Sequence, residues 1–133
     1  MHSFASPARS LALSAVAVLV AGCASTNYHY SQLSGERYHR TSIDTYPVTV
    51  VRVDGKDTTL RPTWVEPGRR DVAVQGPPGG SGGVGVVRTI SLDVAPCTRY
   101  YLVAVKSQAL ASDFSIRVDH REPVSGCTPS AKG

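Results

Sequence analysis

Large aromatic side chains and charges are both scarce in this chain of 133 residues, which has one tryptophan, two phenylalanines and only 18% Asp, Glu, Lys and Arg. Set against 41% hydrophobic residues, so low a charge excludes a chain that is disordered throughout. The charge is also dispersed, with 14 Lys and Arg against 10 Asp and Glu, far from the basic footprint of a nucleic-acid binder. No apolar run reaches the roughly 18 residues of a membrane-spanning helix. The longest largely apolar stretch, residues 11–20, has ten. Twelve glycines and nine prolines are too few for a collagen-like or low-complexity chain, and the length allows one small domain.

The apolar stretch itself (LALSAVAVLV) follows Arg9, the outline of an export signal. It ends in Leu19-Val20-Ala21-Gly22-Cys23, an aliphatic residue three places before a cysteine and small residues just ahead of it. This run resembles the lipobox of bacterial lipoproteins. The resemblance implies a diacylglycerol on the Cys23 thiol, removal of residues 1–22 as a signal peptide, and acylation of the new amino group. One acyl chain anchors only marginally and two or more hold stably, so lipidated Cys23 keeps the protein on a membrane without a spanning helix. The alternative is an ordinary export signal cut after Ala24, leaving a soluble periplasmic protein.

Lipidation of Cys23 leaves Cys97 and Cys127 as an even pair in an oxidising compartment, and a disulfide between them is expected. Closing a loop of 30 residues restricts the unfolded chain by roughly 3 to 4 kcal/mol. Neither cysteine has a second cysteine or a histidine at ligand spacing, so no zinc site and no cofactor is expected. From Cys23 onward thirteen basic side chains face ten acidic ones, a mild surplus that favours anionic envelope surfaces.

Residues 23–45 read as the lipidated cysteine and a Ser/Thr/Tyr-rich tether, without apolar periodicity. A flexible chain of this length spans about 25 to 30 Å. Its Tyr28, His29, Tyr30, Tyr38 and His39 are expected to pack on the domain or lie at the membrane interface; histidines ten residues apart on a mobile scaffold are weak metal ligands.

Alternation at period two begins near Tyr46, and the folded domain is expected over residues 46–127, with 128–133 as a tail. Residues 47–53 (PVTVVRV) form a strand closed by the hairpin signal Asp54-Gly55, with a short return over 57–60. Further strands are expected at 71–75, 84–94, 99–106 and 114–118, the run RYYLVAVK being the strongest core candidate. Only residues 107–113 could hold a helical turn. The fold expected is therefore all-β, a small antiparallel sandwich of six to eight strands. Trp64 is expected to plug its core.

The run Val51-Arg52-Val53-Asp54-Gly55-Lys56, followed by Val65-Glu66-Pro67-Gly68-Arg69 and the strand at 72–74, resembles the PEGA-type β-sandwich repeats of bacterial surface proteins. Residues 96–104 through Gly126-Cys127, with their Cys-x-x-Tyr-Tyr strand, are similar to small bacterial lipoproteins. Both resemblances imply an envelope location and an interaction role, and neither brings catalytic residues.

Gly79-Gly80-Ser81-Gly82-Gly83 matches the Gly-x-Ser-x-Gly nucleophile elbow, and Asp93 and His120 follow in the order of a hydrolase triad. Such an elbow needs a strand and a helix of a sizeable α/β fold, and here a β-rich run follows. The overlapping match to Gly-x-Gly-x-x-Gly likewise lacks a βαβ unit. The glycine run is expected to be a hairpin loop, Arg69-Arg70-Asp71 a solvated corner, and His120 a surface histidine facing away from Asp119 across the strand.

The function expected is a non-catalytic binding or structural module, anchored through Cys23 and engaging another envelope protein or peptidoglycan through its loops. A small periplasmic hydrolase using Ser81 and His120 is the alternative. Ala24, rather than aspartate, follows the acylated cysteine. In lipoproteins this residue implies an outer-membrane location facing the periplasm, with the inner membrane as the alternative. No contact with nucleic acid is expected.

Overall fold

Period-two alternation folds the chain into nine strands: β1 (Ser31–Ser34), β2 (Thr45–Pro47), β3 (Thr49–Val53), β4 (Lys56–Asp57), β5 (Thr63–Val65), β6 (Gly68–Gln75), β7 (Val87–Val94), β8 (Thr98–Val105) and β9 (Ser115–Pro123). The computed structural model describes residues 29–79 and 83–129; Cys23, Ser81 and the end of the tail lie outside the described residues. The architecture is an all-β sandwich. In one sheet β9 runs antiparallel along one edge of β8, while the other edge takes β1 in parallel beside residues 99–101 and β2 antiparallel beside residues 103–105. β5 pairs with the free side of β1. The second sheet runs β4-β3-β6-β7, antiparallel throughout. No described helix is long and apolar enough to cross a membrane.

Beside β5, a short strand at a place where none is expected, two differences raise the strand number to nine. First, β1 lies inside the expected tether. All four of its residues are buried, because Ser31 Oγ donates to the Ala95 carbonyl and accepts from the Thr98 N–H, which replaces the water those serines would lose. The folded domain thus begins about fifteen residues before Tyr46, and β1–β8 is a parallel pair in a sandwich expected to be antiparallel. Second, the strand expected over 47–53 divides at Val48. β2 joins the first sheet and β3 the second, and the Val48 N–H donates to the Gly35 carbonyl at 2.9 Å where the chain changes sheets. A Cβ on Gly35 would run into the Val48 carbonyl. Gly35→Ala is expected to destabilise the domain by about 1–3 kcal/mol, read as a lower Tm.

The core lies between the sheets, with Leu33, Val65, Tyr100 and Leu102 from one packed against Val50, Val72, Val74, Leu92 and Val94 from the other. The plug is Tyr100, not Trp64. Registers at β5 turn Thr63 and Val65 inward and leave Trp64 outside, 53% exposed. Tyr100 keeps its hydroxyl satisfied by accepting from the Ala95 N–H at 2.7 Å and donating to the Asp93 carbonyl at 3.3 Å. Asp54 and Gly55, at φ 49° and 79°, make the β3–β4 hairpin that Asp-Gly foretells. The Asp71 N–H, then Arg70, donate to the Asp54 carboxylate and hold its pKa below the ordinary 3.8.

The strands place the connections at two ends. One end holds the entry to β1, the 54–55 hairpin, the β7–β8 turn and the segment after β9. There Cys97 and Cys127 are joined by a disulfide with Cα atoms 5.5 Å apart, and the Val124 N–H donates to the Cys97 carbonyl. The opposite end holds the three longer connections, residues 36–44, 76–86 and 106–114.

Candidate functional site

The 106–114 connection touches the other two. The Lys106 N–H donates to the Asp44 carbonyl, and the Lys106 ammonium, on a buried residue, sits 5.2 Å from the Tyr46 ring centroid. The Gly76 N–H donates to the Val86 carbonyl, and the Phe114 ring packs so closely on Gly76 that no Cβ would fit. Arg88 pairs with Asp113 and lies over the Phe114 ring at 5.5 Å. The connections expose aliphatic side chains: Ile43 is 93% exposed, Val84 86%, Val86 46% and Leu110 77%. A single exposed aliphatic is ordinary; this end of the sandwich, its tip, carries several of them on neighbouring connections.

The 36–44 connection is also fastened to β9. The register of β8 and β9 shifts between Tyr101 and Leu102, so Asp119 is an extra residue opposite no partner. Such a bulge brings neighbouring side chains toward one face, which overturns the expectation that Asp119 and His120 point apart. Asp119 accepts from the His39 backbone N–H at 3.3 Å and lies 3.2 Å from His39 Nδ1. Tyr38 stacks on His120, with ring centroids 3.6 Å apart and planes 9° apart, and leans on Tyr101 at 5.1 Å. Burial pushes the Asp119 carboxyl up, but hydrogen bonds from His39 and Arg117 hold it below the ordinary 3.8. The folded value lies below the unfolded one, so this fastening is in full force above the usual carboxylate range and is lost as pH falls through it. Stability is expected to decline below about pH 4, and Asp119→Asn to flatten that decline in melts taken across pH.

Across the outer face of the five-stranded sheet runs a polar row. Arg99 Nε donates to Gln32 Oε1 at 2.7 Å and the guanidinium reaches Glu122 at 3.3 Å; the Tyr101 hydroxyl donates to the same Glu122 oxygen at 2.7 Å. Tyr101 and Glu122 raise the Arg99 pKa further, and burial first raises that of Tyr101. The row holds the sheet's strands together through a fixed cation. At its β5 end Trp64 stacks on Tyr30, with centroids 6.1 Å apart, and Tyr30 on His29.

Of the residues singled out in the sequence, Cys97 and Cys127 are brought together, and Tyr38 and His39 pack on the domain. Cys23 and Ser81 lie outside the described residues. His120 stacks on Tyr38, whereas Asp93 lies exposed 3.8 Å from Arg69, so the two do not pair. Arg69 is solvated as expected, but Arg70 is half-buried, pairs with Asp54 and donates to the Pro67 carbonyl. No group of three or more metal-ligating side chains gathers among the described residues. Sequence reasoning missed Ile43, Val84 and Leu110. Val84 opens a run that reads as a strand, and only Ile43, the single aliphatic residue between Leu33 and Val48, carries a signal. Comparison with family models, curated proteins and solved structures finds no match to this chain.

Proposed function

We propose that this chain is a lipid-anchored lipoprotein of the bacterial envelope, a non-catalytic module that holds another envelope protein through the tip formed by Ile43, Val84 and Leu110. The observation that carries the reading is the sequence Leu19-Val20-Ala21-Gly22-Cys23 in a chain with three cysteines, two of which are used by the Cys97–Cys127 disulfide. Cys23 is then the cysteine left for acylation. The resemblance of residues 48–76 to PEGA-type repeats supports an interaction role. Ala24 supports outer-membrane sorting with the sandwich in the periplasm, and the mild basic surplus suits acidic neighbours there.

Cys23→Ser is expected to abolish acylation and to move the mature protein from the membrane pellet to the soluble fraction, or to leave an unprocessed precursor. Fractionation at high salt with intact-mass measurement checks this. A processed C23S protein that still pellets contradicts the reading.

A further inference from the structure

We infer that the Tyr30–Trp64 corner of the sandwich rests in the lipid headgroup layer of the membrane that holds Cys23, so that the domain is docked rather than floating. The inference rests on the lipid-anchor reading above. Its first ground is the length of chain between anchor and fold. The tether was expected to run to residue 45, but Tyr30 is already held on the domain: its ring stacks on Trp64 and its carbonyl lies 3.6 Å from Cys127 Sγ. Seven residue steps separate Cys23 from Tyr30. At full extension these reach about 25 Å, and as a coil about 13 to 16 Å, no more than the width of a small domain. The end of the sandwich where β1 begins is therefore kept beside the bilayer, and the tip with Ile43, Val84 and Leu110 faces away from it.

The second ground is the chemistry of the corner that is kept there. Trp64 lies one register step from the start of β1, opposite Gln32, on the outer face of the sheet and 53% exposed. Tryptophan and tyrosine, each with an apolar body and a polar edge, are the residues that settle at membrane–water interfaces. The charges bordering the corner are largely matched, Arg70 with Asp54 and Arg99 with Glu122. Contact is thus carried by the aromatic rings more than by net charge, and it persists in salt that screens surface attraction.

Trp64 is the only tryptophan, so its fluorescence reads the site without labelling. The acylated full-length protein is placed in vesicles of phosphatidylethanolamine and phosphatidylglycerol whose acyl chains are brominated, and compared with vesicles lacking bromine. Trp64 emission is expected to be blue-shifted and quenched about two-fold or more by bromine, at low and high salt alike, as suits an interfacial tryptophan. A W64F/L110W variant, with its tryptophan at the opposite end, is expected to show no bromine quenching. If the protein is acylated and floats with the vesicles, yet Trp64 is unquenched and as open to aqueous iodide as in C23S, docking is wrong and the anchor stands. Equal quenching of Trp64 and the residue-110 tryptophan also overturns docking at this corner. A protein that is neither acylated nor floats overturns both readings. Quenching that disappears in high salt overturns the aromatic basis and assigns the contact to charge.

Discussion

Breaking the Cys97–Cys127 bond, by reduction or by Cys127→Ser, is expected to lower stability by about 3 to 4 kcal/mol, the loop-entropy cost for a separation of 30 residues. For a domain of this size that corresponds to a Tm lower by roughly 15 to 25 °C in calorimetry. The bond ties the segment after β9 to the β7–β8 turn, the region that also receives the start of β1, since Ser31 bonds to Ala95 and Thr98. Losing it loosens the end of the sandwich where β1 begins. Cys23→Ser, outside the sandwich, is expected to leave the Tm of the detergent-solubilised protein unchanged, which separates the anchoring cysteine from the stapling pair. A reduced protein that melts with the oxidised one contradicts the assignment.

The second large effect is expected at Tyr100. Tyr100→Ala removes the bulkiest fully buried side chain and is expected to cost about 3–5 kcal/mol, enough to unfold much of the population. Tyr100→Phe keeps the ring and removes the hydroxyl that the Ala95 N–H bonds to, at a cost of about 1–3 kcal/mol. Trp64→Ala, by contrast, is expected to be nearly silent in the melting curve. If W64A were the more damaging of the two alanine variants, tryptophan would be the core plug after all.

These residues show what the sequence made legible. Strands β6, β7 and β8 follow from period-two alternation, and Val72, Val74, Leu92, Val94 and Leu102 face the core as alternation requires. The Asp54-Gly55 hairpin follows from local turn chemistry, and the disulfide from cysteine arithmetic. β1 was hidden because Ser31-Gln32-Leu33-Ser34 has one apolar residue and no β-branched one. Its burial depends on bonds to residues more than sixty positions away in β7–β8, which no local pattern records. Trp64 was misplaced for a related reason. Composition says that a small core needs bulk, but only the register of β5 against β1 decides that Tyr100 supplies it. The Asp119 bulge likewise reverses a facing rule that holds for regular strands. Ile43, Val84 and Leu110 stand 41 and 26 residues apart, so their place at one end of the sandwich is not legible in the sequence. Only the strand order and registers bring their connections to the same end.

The central claim is that an anchored sandwich engages another envelope protein with the end opposite its anchor. Site-specific photo-crosslinking in intact cells tests it most directly, with a photoreactive residue placed in turn at Ile43, Val84 and Leu110 and, as control, at Ser91, which is exposed on the outer face of the second sheet. A discrete adduct of the same mass with a second envelope protein is expected from the three tip positions, and none from Ser91. Adducts from Ser91 alone, or none from any tip position, would contradict it.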